Sequence, residues 1–168
     1  MISYRNHKNT NIAFNPGTTI IWGKNGSGKT SILEAIHCLS IGNSFRTNNK
    51  KELITEGFDQ FILNGVFKNK SGLENKISFS YNKKGIKKIK INREEIKTRK
   101  ELIGLNNVVV LSPEEEAITK GGPSERRKFF DRVFSMTSRR YLECLLQYNK
   151  ILQQRNATLR NDSTKEMQ

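Results

Sequence analysis

Eight residues, Gly23-Lys24-Asn25-Gly26-Ser27-Gly28-Lys29-Thr30, constrain this chain more than any other stretch. They satisfy the phosphate-binding loop pattern, a glycine, four residues and then Gly-Lys-Ser/Thr, at every specified position. The flanks agree with it. Residues 18–22 are β-branched and aromatic enough for a buried strand, and Ser31-Ile32-Leu33-Glu34-Ala35-Ile36 opens an amphipathic helix. Gly23, Gly26 and Gly28 permit backbone angles and close approaches that a Cβ forbids, so successive N–H groups can converge on one phosphate. A helix starting near Lys29 adds its dipole and its unpaired N–H groups. Lys29 would neutralise the β and γ phosphates, and the Thr30 hydroxyl would ligate Mg²⁺. The pattern predicts a nucleoside triphosphate site. A glycine-rich turn that contains Lys-Thr by chance would explain neither flank.

Around the loop the chain alternates between two periodicities. Ile2-Ser3-Tyr4 reads as the end of a strand cut short at its start, and Arg5-Asn6-His7 as a polar turn. Residues 11–14 read as a second strand, and Asn15-Pro16-Gly17 as the turn into residues 18–22. In the helix, Ile32, Leu33, Ile36 and Leu39 share the apolar face, Glu34 and His37 point away, and Gly42 caps the end. From Phe61 to Ile91 the period becomes two. Phe61, Leu63 and Phe67, then Ile77, Phe79 and Tyr81, then Ile89 and Ile91 predict an antiparallel meander with turns at 69–72 and 82–85.

The remaining pieces are an apolar run and two helices. Val108-Val109-Val110-Leu111 reads as a buried parallel strand. An acidic metal motif needs an Asp directly after such a run, but Ser112-Pro113 precedes Glu114, Glu115 and Glu116, which read as the first turn of a short helix. Beyond Gly121-Gly122-Pro123 come two helical stretches. In the second, Tyr141, Leu145, Tyr148, Leu152, Arg155 and Leu159 form a heptad stripe before a polar ending from Asn161 onward.

Composition narrows the partners. The net charge is +14, which suits a polyanion, nucleic acid first, and suits equally well lysines that only keep a surface in water. The basic run is densest over 83–100, where Lys87, Lys88 and Lys90 alternate with isoleucines and are the candidate DNA contacts; strand geometry puts Lys88 and Lys90 on one face and Lys87 on the other. No apolar run reaches the roughly 18 residues of a membrane span, and nothing resembles a secretory leader. Cys38 and Cys144 lack zinc or disulfide spacing, so a reduced, cytoplasmic setting is expected.

Several strings together resemble the RecF family of DNA replication and repair proteins, within the structural-maintenance-of-chromosomes (SMC) branch of ABC-type ATPases. These are Tyr4-Arg5-Asn6-His7, the loop with Leu33-Glu34-Ala35-Ile36, and Gly42 with Ser44-Phe45-Arg46. Ser112-Pro113-Glu114 follows, then Gly121 and Pro123 with Arg126-Arg127, Phe129 and Asp131, and finally Tyr148 with Gln154-Arg155-Asn156. The resemblance implies an α/β P-loop NTPase of ABC/SMC-head type, with a mixed sheet, an antiparallel β meander and the start of a C-terminal helical arm. It implies residues 1–120 as the N-terminal lobe of the ATPase head and 121–168 as the helical segment leading into the arm. It also implies ATP and Mg²⁺ as cofactors, Arg5 and Asn6 beside the nucleotide, and Arg126 and Arg127 holding DNA or bracing the head, Asp131 being a candidate ion-pair partner.

For the intact protein it implies binding to single-stranded and gapped DNA, an ATP-dependent homodimer, RecO- and RecR-type partners, recombinase loading and support of the SOS response. The family's signature motif, acidic metal motif with catalytic Glu, and switch His are not found in the sequence. This chain is therefore expected to be a fragment that docks ATP without turning it over. Two other readings compete. A small-molecule kinase would want an alternating βα order, and a GTPase would want Asn-Lys-x-Asp, which does not occur. A basic nucleic-acid-binding module with a vestigial loop is separated from the first reading by nucleotide titration.

Overall fold

The computed structural model describes residues 1–69, 71–111 and 122–165, and the side chains as far as residue 160. The acidic turn expected at 112–116 lies outside the described residues. Two compact units emerge, Met1–Val108 and Val109–Gln168.

The first unit is built on one six-stranded sheet in the order β2-β1-β3-β4-β5-β6. Its strands are β1 (Ile2–Tyr4), β2 (His7–Asn9), β3 (Gln60–Lys68), β4 (Glu74–Asn82), β5 (Lys87–Ile91) and β6 (Glu94–Glu95). Every pairing is antiparallel. The period-two reading of 61–91 holds as β3, β4 and β5. Phe61, Leu63, Ile77, Phe79 and Ile89 form the buried face, and Phe61 meets Tyr4 and Phe79 edge-on with centroids 5.2 and 5.3 Å apart. Such offset aromatic pairs exceed plain area burial by about 0.5–1.5 kcal/mol each.

Helix α1 (Lys29–Ile41) lies against this face. It starts at Gly28 (φ 93°) and stops at Gly42 (φ 75°), whose N–H bonds the Cys38 carbonyl. Its buried stripe departs in part from the predicted one: Leu39 is buried and Ile32 and Ile36 are half-buried as expected. Leu33 is exposed, while Glu34, Ala35, His37, Cys38 and Leu39 are buried. The reason is closeness of approach. Gly65 on β3 lets α1 pack close, since a Cβ there would come 2.7 Å from Leu39 Cδ1 and that side chain would have to move. Ala35 and Cys38, the small members of that buried set, suit so close an approach.

Three predicted strands are corrected. The hairpin return is His7–Asn9 and not 11–14, because Arg5 takes a left-handed φ of 53° and makes Arg5-Asn6 a two-residue turn. Residues 18–22 and 108–111 are not strands either; Trp22 and Leu111 are 87 and 84 % exposed. A strand is a half-structure that needs a neighbour's N–H and C=O groups, and no strand among the described residues pairs with either stretch. The parallel component expected at 108–111 is thus not part of the described sheet.

The second unit is a helical pair, α2 (Pro123–Thr137) and α3 (Arg139–Lys165). Pro123 occupies the first helical turn after Gly122, where its missing N–H costs nothing. Phe134 of α2 meets Tyr141 of α3 at 5.3 Å, and the Tyr141 hydroxyl donates to Asp131 Oδ1 at 2.5 Å. Asp131 therefore answers Tyr141 and not the ion pair with Arg126 or Arg127 foreseen from spacing. Within the heptad stripe Leu145 and Leu152 are half-buried, whereas Tyr148 and Leu159 are exposed. Helix α3 continues to Lys165 through the polar stretch expected to end it, since an established helix adds one bond per residue and propensity is a weak opponent.

Candidate nucleotide site

The β1–β2 turn, the loop before α1 and the segment after it converge on a cavity of about 640 Å³. Arg5, Asn6, Asn25, Gly26, Gly28, Lys29, Thr30, Arg46 and Glu52 line it. The loop's shape comes from Gly26 (φ 80°) and Gly28 (φ 93°), left-handed angles that a side chain resists. Gly28 has a second reason to be glycine. A Cβ there would lie 2.6 Å from Asn6 Oδ1 and would strike the His7 ring.

Those two residues clamp the loop from the hairpin. Asn6 Nδ2 donates to the Gly26 carbonyl at 2.9 Å, and His7 Nε2 lies 3.1 Å from the Gly28 carbonyl. A carbonyl only accepts, so Nε2 carries the proton, while Nδ1 pairs with Thr10 Oγ1 at 3.1 Å. Lys29 Nζ reaches back to the Gly23 and Lys24 carbonyls, 2.8 Å each. The ammonium thus stands at the loop's mouth, on contacts that a phosphate could replace at little cost. Ser31 follows in the first turn of α1, whose leading backbone N–H groups have no partner within the helix, and it too lines the cavity.

Behind the loop sits a charged hub that sequence reading did not find. Glu34 is fully buried. Arg5 grips it with a fork, Nε to Oε2 at 2.9 Å and Nη2 to Oε1 at 2.8 Å, and sends Nη1 to the Glu52 carbonyl at 3.0 Å. Ser44 Oγ donates to Oε1 at 2.5 Å, and Arg46 Nη1 stands 3.6 Å from Oε2. Burial alone would raise the Glu34 carboxyl; the bonds from Arg5 and Ser44, and the charges of Arg5 and Arg46, overcome it and hold the group below the usual carboxylate range. The Glu34 bond in turn raises Arg5. Beside the hub the Cys38 thiol, 3.7 Å from the Tyr4 hydroxyl, is pushed by burial up to about 12, which disfavours the reactive thiolate.

The sequence-predicted residues separate accordingly. Residues 23–30 form the loop, and Gly26, Gly28, Lys29 and Thr30 line the cavity together with Arg5 and Asn6. The Arg5 guanidinium is committed to Glu34 and the Glu52 carbonyl, and the Asn6 amide to the loop. Of the basic strand, Lys88 and Lys90 are exposed, while Lys87 turns to the inner face, its Nζ 3.2 Å from the Gly42 carbonyl and 5.4 Å from the Phe79 ring centroid. Arg126 and Arg127 are exposed on α2 in the second unit. The site residues missed were Glu34, Ser44, Arg46 and His7. Helical alternation placed Glu34 outward; its neighbours Ala35 and Cys38, small residues on one stripe, carried the opposite signal.

The likenesses to known proteins follow this geometry. A family model described as an AAA domain matches residues 1–167. DNA replication and repair proteins RecF are similar: that of Clostridium acetobutylicum is 45% identical over 159 residues and that of Chlorobaculum tepidum 41% over 162, each match covering 95% of this chain and 44% of the relative. The chain spans under half the length of these relatives, over their N-terminal part. A solved RecF–ATP structure, of a recombination mediator protein in the RecFOR pathway, superposes with a TM-score of 0.85 at 39% identity, covering 95% of this chain and 43% of that one. An SMC ATPase structure, solved in work on ATP-driven dimerization and DNA-stimulated activation, superposes at 0.57 with 26% identity, covering 73% of this chain and 87% of that one. The chain belongs to the AAA domain family and is similar to the N-terminal part of RecF proteins.

Proposed function

We propose that the chain binds ATP at residues 23–30 and is the nucleotide-docking part of a RecF-like protein of DNA repair and replication. One observation carries this reading. A glycine-built loop, a helix N-terminus and the side chains of Lys29, Arg5 and Arg46 all border one open cavity, an arrangement made for a polyanion. The likeness to an ATP-bound RecF structure supports ATP as that polyanion. Arg5 serves as the brace of the hub; Arg46, 42 % exposed and at the long end of its contact with Glu34, is the cation positioned to meet phosphate. Thr30 is exposed at the start of α1, within the cavity, and its hydroxyl fits Mg²⁺, with phosphate oxygens and waters completing the shell. When bound, Mg²⁺ would neutralise phosphate charge.

The wider reading rests on resemblance. It comprises DNA as partner, with Lys88, Lys90, Arg126 and Arg127 as candidate contacts, an ATP-dependent homodimer of the intact protein, RecO- and RecR-type partners, and work in the cytoplasm. No described helix is long and apolar enough to cross a membrane.

Isothermal titration with ATP tests the core of the proposal. A charge-assisted contact contributes about 1.5–3 kcal/mol, so Lys29→Ala should weaken binding by roughly tenfold to a hundredfold. Equal affinities for the two proteins would remove the loop from the site.

A further inference from the structure

Lys87 is the one member of the basic strand that the sheet turns inward. Its stem lies on the same face as Ile89 and Ile91, its Nζ reaches the Gly42 carbonyl at the end of α1, and the Phe79 ring lies beneath it. Arg99 arrives from the other side. Its methylenes pack over Gly42, 3.2 Å from where a Cβ would stand, and with the Asn43 amide turned to satisfy its neighbours, Nη1 donates to the Asn43 oxygen at 3.2 Å. Between Lys87 and Arg99 lies a cavity of about 90 Å³, completed by Ile89, Ile96, Lys97 and Thr98. That is room for about three waters, or one tetrahedral oxyanion. It shares no lining residue with the nucleotide cavity.

The charges around this cavity are unbalanced. Arg99 and Lys50 both act on Lys87, and both are cations; the Cys38 thiol is the remaining group felt there. Among the described residues, Lys50, Lys87 and Arg99 make no ion pair with a carboxylate. The nearest acid in sequence, Glu101, is turned to the N–H and hydroxyl of Thr98, where it closes the capping box of the short turn Arg99–Glu101. Burial first, and then the two cations, push the Lys87 ammonium down to about 8. The Gly42 carbonyl and the Phe79 ring offset part of this repulsion but carry no full negative charge.

We propose that the cavity between Lys87 and Arg99 is a second anion site, taking one phosphate group of a free phosphate or of a nucleic-acid backbone. The missing counter-charge is supplied by the ligand. Lys87 acts as a point charge from the floor and Arg99 as a planar fork from the rim. The outward Lys88 and Lys90 belong to the opposite sheet face and take no part.

The test uses inorganic phosphate with the Lys29→Ala protein, in which the nucleotide loop is disabled, and follows the Lys87 side chain by NMR. Saturating phosphate should move the Lys87 titration upward from about 8 towards its ordinary 10.5. Arg99→Gln should weaken phosphate binding about tenfold or more, whereas Lys88→Gln with Lys90→Gln should change it less than about twofold. Arg99 is exposed, so its variant keeps the fold; Lys87→Met retains the stem over Phe79 and should abolish the site. Trinucleotides with and without a 5′-phosphate separate the sources. Preference for the phosphorylated one assigns a terminal or free phosphate, and equal binding assigns the backbone diester. A Lys87 titration that neither probe moves, or unchanged phosphate affinity in Arg99→Gln, overturns the proposal.

Discussion

At the scale of single residues, Glu34 decides more than its size suggests. It is a fully buried carboxylate that joins the β1–β2 turn through Arg5, helix α1 through its own backbone, and residues 44–46 through Ser44 and Arg46. Three chain segments that border the nucleotide cavity are registered on one ion. Removing the charge strands Arg5, whose side chain is only 19 % exposed. Glu34→Gln should therefore cost about 2–3 kcal/mol at neutral pH, less than a wholly buried pair because Arg5 keeps the Glu52 carbonyl. The sign with pH follows from the lowered carboxyl. Its contribution is full above the ordinary carboxylate range and is lost as pH falls through the depressed folded value. Urea unfolding of both proteins should show a gap at neutral pH that narrows as pH falls below the ordinary carboxylate range. A gap independent of pH would mean that Glu34 acts through shape and not charge.

At the scale of elements, Gly65 sets the distance between α1 and the sheet, and so places the helix N-terminus under the loop. A Cβ at Gly65 would meet Leu39 Cδ1 at 2.7 Å and Phe67 Cε2 at 3.1 Å. Gly65→Val should overpack this contact by about 1–3 kcal/mol, partly offset by the better strand propensity of valine. Combining it with Leu39→Ala should cost less than the sum of the two single changes, because the alanine makes the space that the valine needs. Additive losses in thermal unfolding would place the constraint elsewhere. Much at this scale was legible beforehand. The meander announced itself because Phe61, Leu63, Ile77, Phe79 and Ile89 keep a period of two within one self-sufficient sheet. The loop and both glycine caps of α1 were legible because φ demands are local. Residues 18–22 and 108–111 misled because hydropathy reports a wish for burial, while a strand requires a partner strand. Glu34 misled for a different reason: its burial depends on Arg5 and Ser44, remote in sequence, and no periodicity records such a pairing.

At the scale of the whole molecule, the +14 net charge becomes a question of which faces carry it. The outer face of the sheet presents Lys76, Lys88 and Lys90 among Ser78, Ser80 and Asn64, small groups that let a polyanion approach the lysines. Lys76, Lys90 and Arg93 also border a cleft of about 750 Å³ together with residues 11–14. Glu95 stands opposite Lys90 across the β5–β6 pair and weakens it in part. If this face meets DNA, each phosphate contact displaces condensed counterions, and log affinity falls with log salt by about 0.9 per contact on duplex and about 0.7 on single strands. Replacing Lys88 and Lys90 with Gln should flatten the slope by up to about 1.8 on duplex and should do so for every sequence alike. The Lys90 share should be the smaller, because the Glu95 carboxylate across the strand pair lowers the local potential, so the two single variants should differ. Replacing Arg126 and Arg127 tests the other unit by the same arithmetic. Fluorescence anisotropy with a labelled duplex at several salt concentrations reads all of these slopes. If the sheet variants leave the slope untouched while the Arg126 and Arg127 variants flatten it, the DNA surface belongs to the helical unit. The lysines of the sheet would then serve only to keep that face in water.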